Sequence, residues 1–383
     1  MRVTIDEAAF GELKAEIEAF VRGPGEDYAA EIETTRAVPP ELWRDLRERG
    51  YLSLAAPDDY GGRGIPFSRY LELVELFSMS HASLRMIVHV CNGTWRAIDQ
   101  LATDEQRKAF VLPQVAGDIR VAFTLTEPDA GTGADLRCEV VQQGGTYFLS
   151  GRKHLITFGV TCDYWLLFAR LEGTRGSEGT VALMVDRDSP GVTVDPMPDT
   201  MGVRGTDHAR LLFERTPVPV SSRLGDEGQG LEVALGGFLT PSRISVAMTC
   251  VGLARRAQEL AVGHARVRET FGKVLAARQA IAFALAENAA DIEAARQLTL
   301  HAARQWEAAD PAAGTLSSMA KLTAVDMLTR VTDKALQVHG GIGYWEPNPI
   351  ERIYRDARAQ RFEEGTNEIQ KTVIARDILG TAR

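Results

Sequence analysis

The sequence predicts a mainly α-helical protein with a central β domain. The expected layout is an N-terminal helical domain at residues 1–118, a small β-barrel or sandwich at 119–228 and a C-terminal four-helix bundle at 229–383. Three observations carry this. At 383 residues the chain is too long for one ordinary core, because single cores stop growing near roughly 250–300 residues. Apolar residues step by three and four positions in the first and last thirds, as one face of a helix does. Between them, apolar and β-branched runs alternate with Gly and Pro turns, which is the texture of short strands.

In the first third, Tyr70, Leu73, Val74 and Phe77 share one helix face, and Pro39-Pro40 opens a helix carrying Leu42, Trp43 and Leu46. Pro57-Asp58-Asp59-Tyr60-Gly61-Gly62-Arg63-Gly64 between them is a loop. In the middle third, Tyr147–Leu149, Tyr164–Phe168, Val181–Val185 and Leu211–Phe213 read as strands, separated by Gly144-Gly145, residues 173–179 and Pro190-Gly191. In the last third, Ile281, Leu285, Asn288, Ile292, Ala295, Thr299 and Ala302 form a bundle stripe. A second stripe, Leu328, Val331, Ala335 and Val338, ends at the helix stop Gly340-Gly341.

Composition removes several function classes. A net charge of −9 disfavours nucleic acid, whose phosphates need a basic face. There is no run of about 18 apolar residues, so no membrane span is expected, and the N-terminus lacks a signal-peptide apolar stretch. Four cysteines, Cys91, Cys138, Cys162 and Cys250, lie far apart without a CxxC pair. They predict reduced thiols rather than zinc or a disulfide framework. His81 and His89 lack a third ligand, so no metal is expected. Arg352, Arg355, Arg358 and Arg361 predict a solvated or intersubunit face. A cytoplasmic enzyme fits all of this.

The candidate chemistry sits near the C-terminus. In Arg361-Phe362-Glu363-Glu364-Gly365-Thr366-Asn367-Glu368, a carboxylate is followed at once by Gly and Thr, and an apolar segment comes next. Such a turn can hold a carboxylate at a pocket mouth as a base, and it is equally an ordinary helix start. Two Gly-rich segments flank the strands. Thr126–Gly133 has free backbone N–H groups and hydroxyls suited to a phosphate or a ring edge, but it is no GxGxxG fingerprint. Arg268-Glu269-Thr270-Phe271-Gly272-Lys273 puts two cations around a tight turn, enough to grip a pyrophosphate. Each also reads as a plain surface loop.

Taken together these segments resemble the acyl-CoA dehydrogenase family over nearly the full length. The residues that carry the resemblance are Leu125-Thr126-Glu127-Pro128 with Ala130-Gly131-Thr132, then Ile156-Thr157, then Met201-Gly202-Val203-Arg204-Gly205-Thr206. Gly225, Gly228 and Gly230 follow, then Arg268 with Thr270–Lys273, then Gln279. Last come Gln337-Val338-His339-Gly340-Gly341 with Gly343, and Glu364–Gln370. The resemblance implies FAD. It implies that Leu125, Thr126, Thr132, Ile156 and Thr157 lie along the isoalloxazine edge, and that Arg268, Phe271, Gln279, Gln337, Gly340 and Gly341 hold the pyrophosphate and adenosine side. Some of these come from a neighbouring subunit in the family, which implies a homodimer or homotetramer. Thr366 and Glu368 complete the cofactor pocket.

The implied reaction is α,β-dehydrogenation of an acyl thioester to the trans-2-enoyl thioester. Glu364 is the expected base for the α proton and flavin N5 the acceptor of the β hydride. Burial beside a flat ring is expected to raise the Glu364 pKa from its free value near 4.3. Its own N–H is expected to help clamp the thioester carbonyl. Thr132, Arg243, Glu363 and Gly365 are the implied substrate contacts. An electron-transfer flavoprotein is the expected electron acceptor. Three departures from the family pattern, Leu155, Thr240 and Glu363, point toward a substrate other than a plain fatty acyl-CoA, such as an acyl group on a carrier protein. A flavin-dependent monooxygenase or oxidase on the same fold is the alternative function.

Overall fold

The computed structural model describes residues 5–130, 133 and 135–380. The chain begins with five helices: Glu7–Arg22 (α1), Pro24–Thr35 (α2), Pro40–Glu48 (α3), Phe67–Phe77 (α4) and Ala82–Asp99 (α5). Proline opens α2 and α3, where its missing N–H costs nothing and its fixed φ already suits a helix. Asp104–Gln106 (α6) starts on a Thr103/Gln106 capping box and runs through a π turn into Leu112–Val115 (α7).

Eight strands follow: Val121–Thr124 (β1), Glu139–Gln143 (β2), Thr146–Thr157 (β3), Tyr164–Leu171 (β4), Thr180–Asp186 (β5), Val192–Pro196 (β6), His208–Pro219 (β7) and Arg223–Leu224 (β8). Their order is β6-β7-β3-β2-β4-β5-β8, and β1 pairs with β4. The β1–β4 and β2–β4 pairs are parallel and the others antiparallel. Strands β4 and β5 bury both faces, which explains their unbroken apolar runs. Trp165, Leu167, Val181 and Leu183 face one cluster. Leu166, Phe168, Ala182 and Met184 face another, shared with Trp95 and Ile98 of α5. The sheet curls. Trp165 of β4 and Phe213 of β7 meet edge to face at 5.7 Å, although three strand spacings of about 4.8 Å separate their strands along the ladder.

The last third returns to helix. Gly230–Glu232 (α8) leads through a π segment into Thr240–Val267 (α9). A short hairpin, Glu269–Thr270 (β9) and Lys273–Val274 (β10), turns the chain into Gln279–Glu307 (α10) and then Ala313–His339 (α11). Pro349–Ala359 (α12) and Asn367–Leu379 (α13) pack on α11. The expected stripes are buried from Asn288 to Ala302 and from Leu328 to Val338. Ile281 and Leu285, near the start of α10, are half-buried. Helix α4 inserts against α9 and α10. There the buried Glu75 pairs with Arg255 and, at 2.8 Å, with Arg296. Gly252 permits this approach: a Cβ on it would lie 2.3 Å from the Glu75 carbonyl oxygen.

The arginine run departs from expectation. Arg352 and Arg355 are buried and pair with Glu26, Glu33 and Glu351. Arg358 is exposed, and Arg361 reaches Asp326 at 3.3 Å. The reason is geometric. A step of three residues turns 300° on a helix, so Arg352, Arg355 and Arg358 spread over about 120° of α12 instead of holding one face, and Arg361 lies beyond its end.

Glu33 of α2 joins three regions through His81 (3.0 Å), Arg204 (2.7 Å) and Arg355 (2.7 Å). Burial pushes its carboxyl up, but His81 and Arg355 outweigh this and hold it far below the usual carboxylate range. A depressed carboxyl stabilises the fold fully above its unfolded value near 4.3 and loses that contribution as pH falls below it. Glu33→Gln should therefore destabilise by about 2 kcal/mol at pH 7, with the gap to wild type narrowing as pH falls below about 5 and still partly open at about pH 3, because the folded-state carboxyl titrates far lower. Urea unfolding across that range checks it, and a constant gap would contradict the assignment.

Among the described residues no helix is long and apolar enough to cross a membrane, and no group of three or more ligating side chains could hold a metal. The four cysteines are free thiols.

Candidate active site

The Glu-Gly-Thr turn links α12 to α13. Glu364 and Gly365 both take positive φ, 53° and 96°, and this reverses the chain before Thr366 takes the N-cap position of α13. A left-handed glutamate is strained, and the surroundings hold it there. Arg243 Nε donates to the Glu364 carbonyl at 3.2 Å. Gln370 Nε2 donates to the Glu364 and Gly365 carbonyls at 3.2 and 3.0 Å, and Lys321 Nζ donates to the Gly365 carbonyl. The Glu364 N–H has no acceptor among the described residues.

The Glu364 carboxylate faces α5 and α9. Ser242 Oγ donates to Oε1 at 2.8 Å, and His89 Nε2 lies 2.8 Å from that same Oγ and 3.8 Å from Oε1. Burial pushes the carboxyl up, but contact with His89 and Ser242 and the charge of Lys321 outweigh it, so the group sits below its ordinary value. The sequence predicted a rise. Burial was foreseeable, whereas the groups that lower this carboxyl, His89 of α5, Ser242 of α9 and the more distant charge of Lys321 of α11, carry no linear signal. Burial depresses Lys321 to about 8 against the opposing pull of Cys250, Glu364 and Glu363.

Glu363 diverges from Glu364, as adjacent side chains on a turn do. It accepts from Arg85 Nη2 at 3.1 and 3.2 Å and from Gln360 Nε2 at 3.2 Å. Arg85 is 1% exposed and sits one helical turn before His89 on α5. Helix α5 thus aims a guanidinium at one acid of the pair and an imidazole at the other.

A second group of predicted residues forms a ledge beside the turn. His154 N donates to Thr126 O at 3.0 Å, which brings the segment after β1 against the end of β3. Below it, the buried Lys153 ammonium donates to Leu125 O (2.9 Å) and Glu127 Oε1 (2.8 Å). Leu125 and Ile156 point into the core, while Thr126 and Thr157 are half-buried. Leu155, at φ 59°, leaves its side chain 52% exposed on this ledge. His208 Nδ1 donates to Thr206 O at 3.1 Å, so the Nε2 of the neutral ring accepts from the Thr157 hydroxyl at 3.2 Å. Thr132 lies outside the described residues.

The remaining predicted residues lie elsewhere. Arg268 and Phe271 occupy the hairpin after α9, and Gln279 starts α10. Gln337, Gly340 and Gly341 end α11, and stacking of His264 on His339 at 4.6 Å joins the ends of α9 and α11. Phe271 is 96% exposed, and a Cβ on Gly340 or Gly341 would meet only open space. Helix α9 is 28 residues long, or about 42 Å. Ser242 and Arg243 sit at its start and this second cluster at its end. Within one chain the predicted cofactor residues therefore form two groups. Glu368 is exposed on the first turn of α13.

Three domain families, described as the N-terminal, middle and C-terminal domains of acyl-CoA dehydrogenase, match residues 9–118, 122–216 and 228–379. The chain belongs to the acyl-CoA dehydrogenase family. It is 36% identical over 356 residues to an acyl-CoA dehydrogenase of Bacillus subtilis, covering 92% of this chain and 93% of that one. It is also 34% identical over 357 residues to an acryloyl-CoA reductase (NADH) of Anaerotignum propionicum, a relative named for reduction, covering 92% and 90%. The structure of butyryl-CoA dehydrogenase from Megasphaera elsdenii superposes with a TM-score of 0.91 at 30% identity, covering 99% of this chain and 100% of that one. Acyl-CoA dehydrogenases are FAD-dependent oxidoreductases, and so is this chain. The residues present fit that group: an exposed apolar ledge at Leu155 beside two threonines, and open glycine backbone at Gly340-Gly341 near a basic hairpin. Sequence reasoning missed Arg85, Ser242 and Lys321 at the turn and Lys153 beneath the ledge. All four depend on contacts between residues more than 25 positions apart.

Proposed function

We propose that the chain dehydrogenates an acyl thioester across Cα–Cβ, with Glu364 as the base for the α proton. The Glu364 turn carries the reading: it holds an ionised carboxylate next to an N–H that is free to bind a thioester carbonyl. Bound FAD supplies the hydride acceptor. A hydrogen bond from the Glu364 N–H to the thioester oxygen acidifies the α carbon, and the carboxylate of the same residue removes the proton. Arg243 and Lys321 keep the turn in its left-handed shape, so that carboxylate and N–H stay aimed together. The product is the trans-2-enoyl thioester.

Thr126, Thr157, Thr366 and Glu368, with the backbone of Leu125 and Ile156, are assigned to the flavin side of the pocket. Arg268, Phe271, Gln279, Gln337, Gly340 and Gly341 are assigned to the FAD of a second copy. The support for this is their separation by the length of α9, which favours a homodimer or homotetramer. Arg243, Glu363 and Gly365 are assigned to the substrate side, where CoA and a carrier protein would present the same pantetheine arm. An electron-transfer flavoprotein is the assigned electron acceptor.

Anaerobic titration of the purified flavoprotein with a panel of acyl-CoA and carrier-bound acyl thioesters tests this. At least one thioester should bleach the oxidised flavin without any added reductant. Bleaching only by an external reductase, or a protein that takes up no FAD, would overturn it.

A further inference from the structure

We infer that His89, acting through Ser242, is a positioning residue that keeps the Glu364 carboxylate ionised and aimed; this rests on Glu364 being the α-proton base. Three observations carry it. First, the carboxylate oxygens have few partners. Arg243 and Lys321 are nearby but are committed to the backbone carbonyls of Glu364 and Gly365. Among the described residues only Ser242 and His89 approach the carboxylate itself. Second, hydrogen-bond direction is settled by chemistry. The ionised carboxylate only accepts, so the single Ser242 hydroxyl hydrogen points to Oε1 at 2.8 Å. Ser242 Oγ must then accept from His89, and Nε2 of His89 carries a hydrogen at 2.8 Å. Third, both residues are buried, at 4% and 5% exposure. Phe238 packs edge to face on the imidazole at 6.2 Å and restricts its rotation.

The charged and titratable groups around this carboxylate are Arg85 and His89 from α5, Arg243 and Cys250 from α9, Lys321 from α11 and Glu363 on its own turn, with His208 of β7 facing Glu363. Arg85 is matched by Glu363. His89 is therefore the titratable neighbour that reaches the Glu364 side chain and has no acid of its own. Donors to the charged form of a carboxylate lower its pKa. The Ser242–His89 chain should thus hold Glu364 anionic to lower pH than a bare buried glutamate. It also keeps the carboxylate in one rotamer, so that proton abstraction needs little reorganisation.

The test uses the full-length flavoprotein and His89→Leu, Ser242→Ala and Glu364→Gln. Single-turnover flavin reduction is followed from about pH 3.5 to 9, a range that brackets the acid limb of a carboxyl held below its ordinary value, with the acyl-CoA that bleaches wild type fastest. His89→Leu should slow reduction about 10- to 100-fold at pH 7 and move its acid limb up by about one pH unit. FAD content and KM should stay at wild-type values. Ser242→Ala should show the same direction with a smaller shift, and it serves as the second probe if His89→Leu folds poorly. Carboxyl 13C titration of Glu364 in the substrate-free protein should show the same upward shift without any turnover. A wild-type acid limb and an unmoved Glu364 titration in both variants, alongside an inactive Glu364→Gln, would overturn the role of His89 while leaving the base assignment standing. An active Glu364→Gln would instead remove the base assignment on which the inference rests.

Discussion

Glu364→Gln should retain its FAD and its fold and lose roughly 10²- to 10⁴-fold in thioester-driven flavin reduction, the range a positioned general base contributes. The amide is nearly isosteric with the carboxylate. It can accept from Ser242 Oγ as Oε1 does now at 2.8 Å, and the backbone donors from Arg243 and Gln370 do not depend on the side chain. The left-handed turn and its free N–H should therefore survive, and thioester binding with them. Only the capacity to take a proton is removed. A lowered rate constant at an unchanged apparent affinity is the signature of an interaction made in the transition state. Rapid-mixing absorbance of the flavin measures both quantities. Glu363→Gln is the matched control. Its side chain is committed to Arg85 and Gln360, so the amide should weaken the fold and thioester affinity while leaving most of the saturating rate constant for flavin reduction. If the two variants lose rate equally, the base has not been isolated to Glu364.

The second large effect is on stability. Arg85→Met should cost about 3 kcal/mol, the low end for breaking a buried pair, because it leaves the half-buried Glu363 carboxylate with Gln360 as its one remaining donor among the described residues. The ion pair is not itself the source of that energy. Taking both charges out of water costs about as much as their attraction returns, so Arg85→Met combined with Glu363→Leu should recover most of the loss. The Arg85 Nε hydrogen is buried without a partner among the described residues, which makes the apolar replacement easier still. Denaturant unfolding of the two single variants and the double variant forms a closed cycle. A double variant as unstable as Arg85→Met would mean that Arg85 supports the fold through packing rather than by neutralising Glu363.

Much of the architecture was legible in the linear pattern. Period-three-and-four stripes marked α10 and α11, Pro39-Pro40 marked the start of α3, and the run Val181–Val185 marked a strand. These signals survive because helix and strand periods depend on near neighbours in the chain. The arginine run was misread because a period of three drifts around a helix, and burial on α12 depends on where Glu26 and Glu33 of another helix lie. The site was half legible. Glu364, Gly365 and Thr366 stand out as a turn, and the resemblance singles out Thr126 and Thr157 for the flavin edge. The partners that set their chemistry do not.

By itself, then, the sequence determined three regions, their secondary structure, the family and the candidate base, because those are written in local periodicity and in motifs of a few consecutive residues. The tertiary structure decided the electrostatics. It turned Arg85 and His89, one helical turn apart on α5, toward two consecutive acids some 275 residues later. It spent Lys321 and Arg243 on backbone carbonyls, and it set the Glu364 carboxyl below its ordinary value instead of above it. The physical reason is that a carboxylate's proton affinity depends on the few donors within hydrogen-bond reach, and packing of α5, α9 and α11 against the turn, not order along the chain, selects those donors.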